Sequence, residues 1–105
     1  MSNPIKTWPE PWESFEDSET GNALARELKK ELSDQHILFG ISVKPIAKRK
    51  DCDDVLFELL DGSHRLANVH LTWSHQPEPY ANCPQTTIFR DWEYFQAEGL
   101  YYDDL

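Results

Sequence analysis

Three observations predict an α+β fold: an apolar residue every fourth position at Leu24, Leu28 and Leu32, a two-residue alternation in the segments that follow, and a short helical stretch near the end of the chain. The first has the period of a helix face and the second that of a half-buried strand. The expected architecture is an antiparallel meander of three to four strands, packed by an N-terminal helix and a short C-terminal helix that together cover one sheet face. At 105 residues the chain suits one core rather than two. It divides into an arm over 1–18, an α+β core over 19–98 and an acidic aromatic tail over 99–105.

The arm carries Pro4, Pro9 and Pro11 among the aromatics Trp8, Trp12 and Phe15. Proline lacks the amide donor a helix requires, so no regular helix runs through it. Its aromatics are expected to fold back on the domain, because a cluster of them is unfavourable in water; docking into a partner is the alternative. From about Thr20 to Ser33 an amphipathic helix is expected, with Leu24, Leu28, Leu32 and Ala25 inward and Arg26, Glu27, Lys29, Lys30 and Glu31 on the wet face. Ser18 or Thr20 would cap it by accepting backbone N–H bonds.

After His36, the alternation of Ile37, Phe39, Ile41 and Val43 predicts a strand that Pro45 bends, as at an edge or a bulge. Further strands are expected over Asp53–Leu60 and His64–Trp73, joined at Asp61-Gly62-Ser63. Side-chain parity selects the loop length. A two-residue turn would set Phe57 opposite Leu66 and Val55 opposite Asn68, mixing apolar and polar faces. A three-residue loop sets Phe57 opposite Ala67 and Val55 opposite Val69 on one face, with Glu58, Leu56 and Asp54 across from Leu66, Asn68 and His70 on the other. Gly62 can supply the left-handed conformation such a loop uses. Residues 74–86, with Pro77, Pro79 and Pro84, read as an irregular loop, and Thr86–Phe89 as a short fourth strand. Asp91 then caps a helix over Trp92–Glu98 that Gly99 stops.

The formal charge is −9, from 19 acidic and 10 basic side chains. Such a balance disfavours a nucleic-acid backbone, which is held through Lys and Arg, and favours a basic protein partner. The one positive stretch, Lys44 to Lys50, meets Asp51, Asp53 and Asp54 and reads as a solvated turn with opposite charges side by side. No apolar run approaches the roughly 18 residues of a membrane span, and the chain starts without the basic and apolar segments of a secretory signal. With Cys52 and Cys83 as its only cysteines, the chain is expected in the cytoplasm with free thiols.

Candidate chemistry is sparse. His70 facing Asp54 would orient an imidazole for acid–base work, although an Asp and a His across a strand pair also make an ordinary sheet contact. Cys83 is the candidate nucleophile, but no base adjoins it in sequence. His64 and His70 lie about 20 Å apart along one strand and cannot share a metal. A zinc site built from Cys52, His70, His75 and Cys83 lacks the close ligand spacing of a zinc motif. No metal or cofactor is therefore expected, and the four isolated glycines make no phosphate loop. For partner binding, the residues singled out are Trp73 at the end of the third strand and Glu78 and Tyr80 in the loop after it, with Trp8 and Trp12 in the arm, because Trp and Tyr are enriched at interface hot spots; a place in the core is the favoured alternative for Trp73.

The strings Asp53-Asp54-Val55-Leu56-Phe57 and Ala67-Asn68-Val69-His70-Leu71-Thr72-Trp73, with Pro84 and Thr86–Phe89 after them, resemble a group of small uncharacterised bacterial proteins over residues 36–95. No functional residue carries over from that group. In size and acidity the chain is also similar to toxin-neutralising immunity proteins. The expected function is a non-enzymatic, acidic protein-binding module that recognises a basic partner, as an inhibitor or immunity-like protein does. A small metal-dependent or acid–base enzyme using His70 and Asp54 is the alternative, and a homodimer through an exposed edge strand is a third.

Overall fold

A computed structural model describes residues 8–15 and 18–99. Its elements run β1 (Trp12–Ser14), α1 (Ser18–Glu31), β2 (Val43–Arg49), β3 (Asp54–Leu59), β4 (Leu66–His70), β5 (Thr86–Phe89) and α2 (Trp92–Glu98). The class is α+β. The sheet is an antiparallel meander in the order β1-β2-β3-β4-β5, so it has five strands where three to four are expected. The additional strand comes from the arm. Trp12, Glu13 and Ser14 pair with Arg49, Lys48 and Ala47, and Glu13 bonds Lys48 across the ladder at 3.2 Å. Residues 1–7 of the arm and 100–105 of the tail lie outside the described residues.

The β3–β4 register is that of the three-residue loop: Phe57 faces Ala67, Val55 faces Val69 and Asp54 faces His70. Gly62 has φ +86°, and Asp61 locks the turn by accepting from the Ser63 N–H and hydroxyl and from Arg65. These bonds hold the Asp61 carboxyl down at about 2, first through the Ser63 side chain.

One expected strand is displaced. Residues 37–40 are turns and β2 begins only at Val43. The cause is His36, buried and fixed by Nε2 lying 2.9 Å from the Pro84 carbonyl oxygen. Its Nδ1 accepts the Leu38 N–H and its carbonyl accepts the Phe39 N–H, which coils the backbone locally. Leu38, the residue between the supposed core positions, is then the one fully buried, while Ile37 and Phe39 are 62% and 54% exposed. Pro45 falls at an irregularity of the β2–β3 ladder between Pro45 and Ala47, as a residue without an amide donor should.

The helices do not share a face. Leu24 and Leu28 of α1, with Leu32 just past its end, pack on Val55, Phe57, Leu59, Ala67 and Val69. On the other side, Trp92 and Phe95 of α2 pack on Leu56, Leu66, Phe89 and Trp12. Central strand β3 is buried on both faces as a result. Ser18 and Thr20 both lie within α1 rather than before it. Asp91 does cap α2, accepting the Tyr94 N–H at 2.8 Å. Gly99 ends that helix for want of space rather than by a left-handed turn: its φ is −115°, and a Cβ there would lie 2.6 Å from Cζ of Phe89.

Candidate functional site

Beyond β4 the chain enters a loop whose backbone is held from below by the first helix. On α1, Glu27 and Glu31 stand one turn apart, each three residues after an inward leucine, so both project beside the apolar stripe. They are 2% and 0% exposed, which corrects their expected place on the wet face. A carboxylate is buried only when its oxygens find donors. Glu31 Oε1 accepts the Thr72 N–H at 3.0 Å and Oε2 accepts the Trp73 N–H at 2.7 Å. Glu27 Oε2 accepts the His75 N–H at 3.0 Å, and its Oε1 lies 2.7 Å from His75 Nδ1. The Glu78 N–H in turn caps the Glu31 carbonyl at 3.0 Å, closing the loop over the end of the helix.

This clamp holds an unusual backbone. Trp73 and His75 have φ of 59° and 62°, in the left-handed region that bulky residues rarely enter and that costs about 1–3 kcal/mol each. The third predicted strand therefore ends at His70 instead of reaching Trp73. Trp73 stays 41% exposed and Tyr80 68% exposed, and the Trp73 and His75 rings meet edge to face at 6.2 Å. Glu78 accepts from the Thr72 hydroxyl at 2.7 Å, which holds its carboxyl below the ordinary value.

The two buried carboxyls are pushed in opposite directions. Burial first, and then the hydrogen bond with Glu27, push the Glu31 carboxyl above 4.5. Burial acts on Glu27 the same way, but bonds from Glu31 and from the His75 N–H and ring outweigh it and leave Glu27 below 4.5. A raised carboxyl binds its proton more tightly in the folded chain, so it contributes stability that is lost as pH rises above about 4.5. The lowered Glu27 contributes stability lost as pH falls below that value. Wild-type stability relative to Glu31→Gln is thus expected to decline as pH is raised from 4.5, in denaturant titrations at a series of pH values. A difference flat or rising with pH over that range contradicts the upward shift of the Glu31 carboxyl.

The other candidates are placed as follows. Asp54 and His70 do meet, with Oδ1 and Nδ1 at 2.7 Å, and Asn68 donates to the second Asp54 oxygen. Asp54, Cys52 and Trp73 border a recess of about 70 Å³, whereas small-molecule sites occupy about 300–1,000 Å³. Burial raises the Cys52 thiol, so it is not an activated thiolate. Cys52 and Cys83 are both free. Among the described residues no group of three His, Cys, Asp or Glu side chains could hold a metal ion, so Cys52, His70, His75 and Cys83 do not form the composite zinc site.

Trp12 is corrected from a partner contact to a core residue. It is 2% exposed, its ring 5.8 Å from that of Phe95, because β1 carries it under α2. Trp8 is half-buried against Trp12, Trp92 and Phe95. The basic stretch is largely self-neutralised: Lys50 pairs with Glu10, Lys48 with Glu13, and Arg49 grips Asp51 through two bonds.

Among the described residues no helix is long and apolar enough to cross a membrane. Comparison with protein-family models, with curated proteins and with solved structures finds no match.

Proposed function

We infer that the chain is an acidic protein-binding module whose contact surface is the loop from Thr72 to Tyr80. One observation carries this reading: two buried glutamates hold Trp73 and His75 in left-handed conformations while the Trp73 and Tyr80 rings stay accessible. Backbone strain of this kind costs free energy, and strained positions cluster at ligand-binding sites. Pre-ordering the backbone that carries Trp73 also removes part of the entropy lost on association. Glu78 beside them and the charge of −9 favour a basic partner, as for an inhibitor or immunity-like protein in the cytoplasm.

The 2.7 Å contact of Asp54 with His70 supports a second reading, acid–base chemistry at that pair. The small recess beside it and the partly exposed imidazole favour the binding module instead.

The test is comparative capture. Tagged wild type and a Trp73→Ala/Tyr80→Ala variant are exposed to the same lysate at low and moderate salt. One basic protein retained by wild type, released by salt and lost in the folded variant is expected. Equal retention by both, or binding indifferent to salt, overturns the reading, and loss on Asp54→Asn alone moves it to the second site.

A further inference from the structure

On the side of α1 away from the clamp lies a groove of about 540 Å³ between the helix and residues 39–43. Leu28 and Leu32 form its base, and Phe39, Ile41 and Val43 its opposite wall. The wall is held in place rather than collapsed: buried Leu38 and the His36 ring anchor the turn, and Gly40, at φ +82°, carries the chain onward with Phe39 left 54% exposed. Charged residues enter the lining only as Arg26 and Lys29, with no carboxylate, in a chain of 19 acidic side chains. Among the described residues neither of these two cations forms an ion pair.

We propose that this groove binds a small amphipathic anion, an aliphatic chain ending in a carboxylate, with the chain against Phe39, Ile41 and Val43 and the carboxylate at Arg26 and Lys29. The volume falls in the range of small-molecule sites, which are mostly apolar with a few placed polar groups. The overall negative charge does not prevent it. At physiological salt, charges beyond about 8 Å are largely screened, so the adjacent guanidinium and ammonium groups dominate over distant carboxylates. Arg26 and Lys29 are held on one face of the helix by the same phase that turns Glu27 and Glu31 to the opposite side. This site and the Trp73 loop therefore stand or fall separately.

The probes are decanoate, octanoate, decanol and decyltrimethylammonium, each below its micelle concentration, followed by amide shifts of the isotope-labelled protein. Decanoate is expected to shift amides over residues 25–32 and 39–43 and to bind roughly tenfold more tightly than octanoate, at about three- to fourfold per methylene. Arg26→Gln/Lys29→Gln is expected to weaken decanoate by roughly tenfold or more, while Lys48→Gln, which removes a cation on β2 paired with Glu13, leaves it unchanged. The dispersion of the same spectra reports whether each variant is folded. Equal affinity for decyltrimethylammonium, no shifts with millimolar decanoate, or shifts centred on the Trp73 loop would each overturn the proposal. So would binding at this groove by an acidic aliphatic peptide but not by decanoate.

Discussion

Replacing Glu31 by alanine is expected to lower the unfolding free energy by about 3 kcal/mol, the sum of a carboxylate's packing and two backbone donors left without acceptors. The Thr72 and Trp73 N–H groups reach nothing else once both oxygens are gone, and the side chain removed is 0% exposed. The left-handed conformation of Trp73 then has no bond to hold it, so its amide should exchange with solvent much faster than in wild type. Glu31→Gln keeps one accepting oxygen and the buried volume; its loss is expected to be only about 1 kcal/mol. Urea titrations of the three proteins, with hydrogen exchange at residues 72, 73 and 75, make the comparison. An alanine variant within about 0.5 kcal/mol of wild type, the usual range of an indifferent surface change, would remove the clamp from consideration. It would also remove the physical basis for a pre-ordered loop, because nothing else in the described structure bonds the two N–H groups.

A larger loss is expected from the opposite face of the sheet. Phe95 is fully buried, with the rings of Phe89, Trp12, Trp8 and Trp92 at 5.2, 5.8, 6.2 and 6.2 Å. Phe95→Ala should cost about 3–5 kcal/mol through lost transfer energy and the cavity left among those rings. That approaches the whole stability of many small domains, about 5–15 kcal/mol. Gln96→Ala, one residue along α2 on its exposed side, is the control and should stay within about 0.5 kcal/mol. Near-ultraviolet circular dichroism reads the tryptophan cluster directly. If the two substitutions have similar effects, α2 does not form a packed second layer and β1 loses the surface it is built against.

The central hairpin was legible because parity alone decides it. Phe57, Val55, Ala67 and Val69 share a buried face in only one register, and Gly62 suits the loop that this register needs. The same parity placed Asp54 against His70, a contact that the structure contains. The strand assigned over Ile37–Val43 failed on the same kind of evidence. Alternation was present, but a buried imidazole satisfied the Leu38 N–H more locally than a ladder would, and the segment became turns. Glu27 and Glu31 were misplaced because a charged residue in an amphipathic helix ordinarily faces water. Their spacing of three from Leu24 and Leu28 was the available sign that they border the core.

Taken by itself, the sequence determined what depends on near neighbours: the phase of α1, the β3–β4 register, the turn at Gly62 and the Asp91 cap of α2. Each follows from a period or a spacing within a few residues. Tertiary structure alone decided which sheet face each helix covers, that Trp12 leaves the arm to become an edge strand, and that two acidic side chains turn inward. Those outcomes rest on donors and apolar surface supplied from far along the chain, such as the Trp73 N–H, 42 residues beyond Glu31. A carboxylate buries where such donors wait for it, and no local pattern records where they are.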